Sequence, residues 1–88
     1  MKPEDLGKLI EDKLESKINL ILYNDDHNTF EHVINCLVSV LEHSPEQAEQ
    51  CALIVHHKGR CAVKSGAYIE MAICKAILSS ADLTVKLE

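Results

Sequence analysis

The chain has 88 residues, 47% of them hydrophobic, and a formal net charge of −5 from nine basic and 14 acidic side chains. That length, below the usual ~100–150 residues, holds one small domain that buries about 60–65% of its unfolded surface, so a shallow groove is expected rather than a deep cavity. No apolar run approaches the ~20 residues that cross a bilayer, no secretion signal opens the chain, and no basic cluster or aromatic platform offers itself to nucleic acid, which leaves a cytoplasmic acidic domain suited to cationic ligands.

Residues 1–17 carry five acids and four lysines, with Leu6, Leu9, Ile10 and Leu14 near helical spacing and Gly7 interrupting them. They read as a mobile N-terminal tail with a weak helical tendency and a possible docking role. The core domain is expected over 18–88. It opens with a strand, Ile18 to Tyr23, whose branched and aromatic residues end at Asn24-Asp25-Asp26. A helix follows, with Asn28 as cap and Glu31 reaching back to it, and its apolar stripe is Phe30, Val33, Ile34, Leu37, Val38 and Leu41. It should end near His43.

Ser44-Pro45-Glu46-Gln47 is the clearest local signal: a capping Ser, then Pro where a missing N–H costs nothing, then Gln three residues after the cap. The second helix buries Ala48, Cys51, Ala52 and Val55 and stops at Lys58-Gly59. Cys61-Ala62-Val63 fits a short edge strand. Ser65-Gly66-Ala67 is expected to open a third helix with the stripe Ile69, Ala72, Ile73, Ala76 and Ile77. A last strand alternates, with Leu83, Val85 and Leu87 on one side and Thr84 and Lys86 on the other. The order strand, helix, helix, strand, helix, strand predicts an α+β fold, three helices packed on a small antiparallel sheet.

Asn24, Asp25 and Asp26, between the first strand and the first helix, are the candidate site. Two carboxylates beside an amide oxygen suit a cation that donates several hydrogen bonds, such as an ammonium. Acids also stand before helices merely to favour the dipole, and on the residues alone both readings hold. A metal is a further reading, but two acids on neighbouring residues supply few ligands for calcium and lack the spacing of a calcium loop. His56 can point toward the same junction if the two helices pack side by side, or simply favour the carbonyls of its own helix end. Cys51, His56, His57 and Cys61 are close enough in sequence for zinc, but the four cysteines lack any C-x-x-C pair and read better as core thiols. Gly7, Gly59 and Gly66 are too scattered to cradle a nucleotide, and no nucleophile or metal-protease motif occurs. Neither an enzyme nor a cofactor is expected.

The segment from Leu20 to Val33, with Asn24-Asp25-Asp26 followed by Thr29, Phe30, Glu31 and Val33, resembles the first signature of the ClpS adaptors. Leu53-Ile54-Val55-His56-His57-Lys58-Gly59 resembles their second, a Val-His pair with Gly after two further residues. The resemblance covers residues 18–64 well and the final strand weakly. It implies a ClpS-like fold, similar to the C-terminal domain of the ribosomal stalk protein. It also implies a non-catalytic N-degron adaptor that holds an exposed N-terminal Leu, Phe, Tyr or Trp and passes the substrate to a Clp AAA+ unfoldase, of ClpA or ClpC type, working with ClpP. By position, Asn24, Asp25 and His56 would bind the substrate α-amine, and Phe30, Val33, Ala52, Val55 and Leu83 would line the side-chain pocket. Asp26 and Asn28 would support the loop. Glu70 and Lys75 would contact the unfoldase, with one residue inserted after Gly59. Phe30 replaces the family's usual Met, Ala52 a larger apolar residue, and Asn28 a Thr. The alternative is a stalk-type interaction domain of the same architecture that lacks an α-amine pocket.

Overall fold

The computed structural model describes residues 5–7 and 16–88. Six elements follow in the expected order: β1 (Lys17–Tyr23), α1 (Phe30–Leu41), α2 (Pro45–Lys58), β2 (Arg60–Ala67), α3 (Tyr68–Ser80) and β3 (Thr84–Leu87). The tail expected over 1–17 lies outside the described residues, except for residues 5–7, which are helical, and residues 16 and 17, where β1 begins.

Both neighbours of β1 are antiparallel to it, in the order β2-β1-β3. The central strand therefore contributes most to the core. Leu20 and Leu22 alternate onto the helix side and are fully buried with Leu37 of α1 and with Met71 and Leu78 of α3. Each such side chain stabilises the fold by about 1.5–3 kcal/mol relative to leaving it exposed. Ile21, on the opposite face, is also buried, between its strand partners Ala62 and Lys86. Two residues along that face, the Arg60 and Lys86 cations lie 5.4 and 5.2 Å from the centre of the Tyr23 ring. Arg60 also pairs with Glu88 at 2.8 Å, and the Tyr23 hydroxyl donates to the same carboxylate.

Helix α2 keeps to its sequence signals. The Ser44 hydroxyl accepts from the Gln47 N–H at 3.1 Å, Pro45 is the first helical residue, and Gly59 closes the helix at φ 90°, a left-handed conformation in which glycine carries no side-chain penalty. Ala48, Ala52 and Val55 are buried as expected, and Cys51 is half-buried. Helix α1 differs at its start. Thr29, not Asn28, is its cap, accepting from the His32 N–H at 3.0 Å, because Asn28 is engaged elsewhere in the loop. The helix ends at Leu41, with Glu42 in the left-handed region.

Two expectations fail in the second half. Ser65-Gly66-Ala67 does not open a helix; it completes β2, pairing with Lys17 to Asn19 of β1, and α3 starts at Tyr68 without a side-chain cap. A Cβ on Gly66 would lie 3.3 Å from the Met71 methyl group, so a residue without one lets β2 run close beneath the first turn of α3. The apolar stripe of α3 is also on the other side. Met71 and Leu78 face the sheet, whereas Ile69, Ile73 and Ile77 are 55%, 57% and 48% exposed. The helix is apolar almost all round, so periodicity alone does not choose which face turns inward.

Strand β2 carries one extra residue against β1, between the Leu20–Lys64 and Ile21–Ala62 pairs. That residue, Val63, points into the core, and its carbonyl accepts from Nε2 of buried His43 at 2.7 Å. The α1–α2 connection is thereby pinned to the bulge. His43→Ala should lower stability by about 1–3 kcal/mol, because it leaves a buried carbonyl without its donor. Urea denaturation of the two proteins measures this, and an unchanged midpoint would contradict it.

Candidate functional site

The ends of β1 and α2 are stitched together by their backbones. Gly59 donates to the Val55 carbonyl at 2.8 Å, which reverses the chain, and its own carbonyl accepts from the Asn24 N–H at 2.9 Å. That bond joins the Asn-Asp-Asp segment to the end of the helix that carries His56. The two short motifs are therefore parts of one structure.

Between them opens a recess of about 430 Å³. Its polar lining is Asn24, Asp25, Asp26, Asn28 and His56, and its apolar lining is Phe30 and Val33 of α1 with Ala52 and Val55 of α2. Phe30 is 42% exposed and stands at the rim, while Ala52 and Val55 are buried. Asp26, expected only as loop support, also lines the recess.

Leu83 does not. It is buried in the core with Leu78 and Val85, because the turn before β3 directs it inward: the Leu83 N–H donates to the Leu78 carbonyl at 3.1 Å after Asp82 has taken a left-handed φ of 72°. Glu70 and Lys75 lie on α3 outside the recess, Glu70 exposed in the first turn and Lys75 half-buried.

Asp25 has its side chain 13% exposed and held by the loop around it. One oxygen accepts from the backbone N–H groups of His27 and Asn28 at 3.1 and 2.8 Å, and the other from the Asn28 amide at 2.7 Å. Burial by itself pushes the carboxyl pKa up. The Asn28 side chain, the two backbone donors and the nearby His27 ring outweigh burial and hold it below the ordinary 3.8. The group is thus ionised at neutral pH. Of its roughly four acceptor positions, three are filled from within the loop, and the remainder is open to a ligand.

Sequence reasoning overlooked three residues of this network. His27 reaches Asp82 at 2.9 Å and lies 3.6 Å from Asp25. Asn28 donates to the Asp82 carbonyl at 2.7 Å, and His32 Nε2 to the Ala81 carbonyl at 2.9 Å. Only the tolerance of Asp for the left-handed region marked position 82 as special, and only the structure brings that turn to the loop. Among the described residues, no group of three or more His, Cys, Asp or Glu side chains is arranged to hold a metal. The Cys51 thiol is pushed up to about 11 by burial, helped by the neighbouring Cys61 thiol, so it stays protonated.

A family model described as ATP-dependent Clp protease adaptor protein ClpS matches residues 13–85. The ClpS adapter of Nitratidesulfovibrio vulgaris strain Miyazaki F is 37% identical over 57 residues, which are 62% of this chain and 57% of that protein. The ClpS adapter of Oleidesulfovibrio alaskensis is 34% identical over 58 residues, 64% of this chain and 56% of the relative. The chain thus spans less than two thirds of the length of these curated relatives. The solved structure of Agrobacterium tumefaciens ClpS2 bound to L-phenylalaninamide superposes with a TM-score of 0.73, covering 84% of this chain and 96% of that one, at 19% identity, and so shares the fold. With a match to the family over 73 consecutive positions, 13 to 85, and the two signature segments joined by the Asn24–Gly59 bond, the chain belongs to the ClpS family of Clp protease adaptors.

Proposed function

We propose that the protein is a non-catalytic cytoplasmic adaptor that grips polypeptides by a free N-terminal Leu, Phe, Tyr or Trp and hands them to a Clp AAA+ unfoldase of ClpA or ClpC type. The observation that carries this reading is a recess lined together by an ionised Asp25, by Asn24 and His56, and by the apolar Phe30, Val33, Ala52 and Val55. An α-ammonium has three N–H donors, and the free carboxylate position, the Asn24 amide oxygen and a His56 ring nitrogen are three acceptors. The first side chain would lie against Phe30, Val33, Ala52 and Val55. An internal stretch of polypeptide has the side chain but not the charge, and leaves the acceptors unpaired, so the site selects chain ends.

The ligand named for the Agrobacterium protein supports this reading: L-phenylalaninamide joins a free amine to one aromatic side chain. Those are the two groups for which the recess here has chemistry. The volume lies in the lower part of the ~300–1,000 Å³ range of small-ligand sites, enough for one side chain and its amine. A stalk-type docking domain has no use for acceptors at this junction.

Delivery is assigned to α3. Glu70 and Lys75 are the resemblance's contact residues for the unfoldase, and the exposed Ile69, Ile73 and Ile77 offer an apolar strip on the same helix.

Fluorescence titration with a peptide beginning with Leu, free or acetylated at its terminus, tests the binding step. The free peptide should bind, acetylation should abolish binding, and Asp25→Ala should cost about 2 kcal/mol or more, roughly 30-fold in Kd. Equal affinity for the two peptides would remove the proposal. For delivery, Ile73→Asp should leave peptide affinity unchanged and weaken association with the unfoldase at least about tenfold in a pull-down or titration. Unaltered association would exclude this strip.

Asp25 also sets a pH dependence of definite sign. Its folded pKa is lowered, so its contribution to stability is complete above the unfolded value near 3.8 and is lost as the pH falls through the lowered value. The stability difference between the protein and Asp25→Asn should therefore shrink in denaturant melts as the pH falls past 3.8 and through the lowered value, whereas a pH-independent difference would contradict it.

A further inference from the structure

We propose that the turn at Ala81 and Asp82, in the connection from α3 to β3, is a latch that positions the binding loop, with Asp82 as a positioning residue for Asp25. The proposal rests on the α-amine reading of the recess. It adds a part of the molecule 49 to 55 positions away in sequence from the residues it holds, His32, Asn28 and His27, that neither lines the recess nor belongs to either signature segment.

Three bonds converge on this turn. The Asn28 side-chain amide has two N–H groups: one goes to the Asp25 carboxylate at 2.7 Å and the other to the Asp82 carbonyl at 2.7 Å. Both donors are used, so the amide is fixed at each end and cannot rotate away from Asp25 without breaking the second bond. His32 of α1 donates from Nε2 to the Ala81 carbonyl at 2.9 Å, and His27 reaches the Asp82 carboxylate at 2.9 Å. The loop and the first turn of α1 are thus held by adjacent carbonyls of one turn.

The turn is able to hold them because its own backbone is fixed on both sides. The Asp82 N–H donates to the Ser79 carbonyl at 3.0 Å and the Leu83 N–H to the Leu78 carbonyl at 3.1 Å, with Leu83 and Leu78 both buried in the core. Between them Asp82 takes φ 72°, a conformation that Asp, Asn and Gly enter far more readily than a β-branched residue. The direction of its carbonyl, and with it the Asn28 amide, follows from that conformation.

The contribution of the turn separates from that of the Asp82 charge by substitution. Asp82→Asn keeps the left-handed turn and removes the charge beside His27. Asp82→Val keeps neither the conformation nor the charge. Asn28→Ala removes the bridge itself. In the unliganded protein, carboxyl NMR titration of Asp25 should give a pKa below 3.8 that rises in Asn28→Ala and in Asp82→Val, rises no further in the double variant, and stays nearly in place in Asp82→Asn. Affinity for a free peptide beginning with Leu should fall about tenfold in the same two variants, as expected for the loss of one hydrogen bond to a charged group. An unmoved Asp25 titration in a folded Asp82→Val protein, or additive effects in the double variant, would overturn the latch. Should Asp82→Val fail to fold, hydrogen exchange in the unsubstituted protein decides: both Asn28 side-chain N–H protons should be protected, and exchange at the solvent rate would overturn it. Titration and affinity are read separately, so a protein indifferent to acetylation of the peptide refutes the binding reading and leaves the latch to be judged on Asp25 alone.

Discussion

The candidate site depends on the reversal of the chain at Gly59. A left-handed residue there ends α2, returns its N–H to Val55, and turns its carbonyl toward Asn24. Without that turn, the end of the helix and the end of the first strand have no fixed relation, and an imidazole and a carboxylate 31 positions apart in sequence do not share a recess. A side chain at Gly59 would find open space around it, so what the position requires is the conformation and not small size.

Around that stitch the chain divides its polar work. A carboxylate at the mouth of a recess is useful to a cationic ligand only if it is charged, correctly aimed and not wholly satisfied by its own protein. The loop meets these demands together: two backbone N–H groups and the Asn28 amide stabilise the charge and fix the plane of Asp25, and they leave one of its roughly four acceptor positions unfilled. Asn28 gives up the capping role to do so, and Thr29 takes it over. The apolar side is provided by residues already in the core or at its edge, Ala52, Val55 and Val33, with Phe30 the most exposed of the four. A domain this small thus forms its recess mainly from the outer layer of its own core.

Where local chemistry decides an element, the sequence was legible. Ser44-Pro45 with Gln47 fixes the start of α2, Lys58-Gly59 its end, and the branched run before Asn24 the central strand. The Asn-Asp-Asp segment and His56 stand out in the sequence for their chemistry, and both line the recess. Misreadings arose where two local solutions were equally good. Asn28 and Thr29 are both competent caps, and the choice between them is made by Asp25 and Asp82, which lie outside the helix. Ser65-Gly66-Ala67 has helix-start chemistry, yet pairing with β1 claims it. In α3 the isoleucine stripe and the Met71–Leu78 stripe are both apolar, and only packing against the sheet selects the second. Leu83 and Asp82 were out of reach for another reason: their positions follow from a left-handed residue whose conformation has no periodicity to reveal it.

The most direct measurement of the central claim is a crystal structure of the protein with a short peptide beginning with phenylalanine. The peptide's α-nitrogen should lie within hydrogen-bonding distance of Asp25, Asn24 and His56, and its first ring against Val33, Ala52 and Val55. A peptide bound with its amine in solvent, or through an internal side chain, would contradict it.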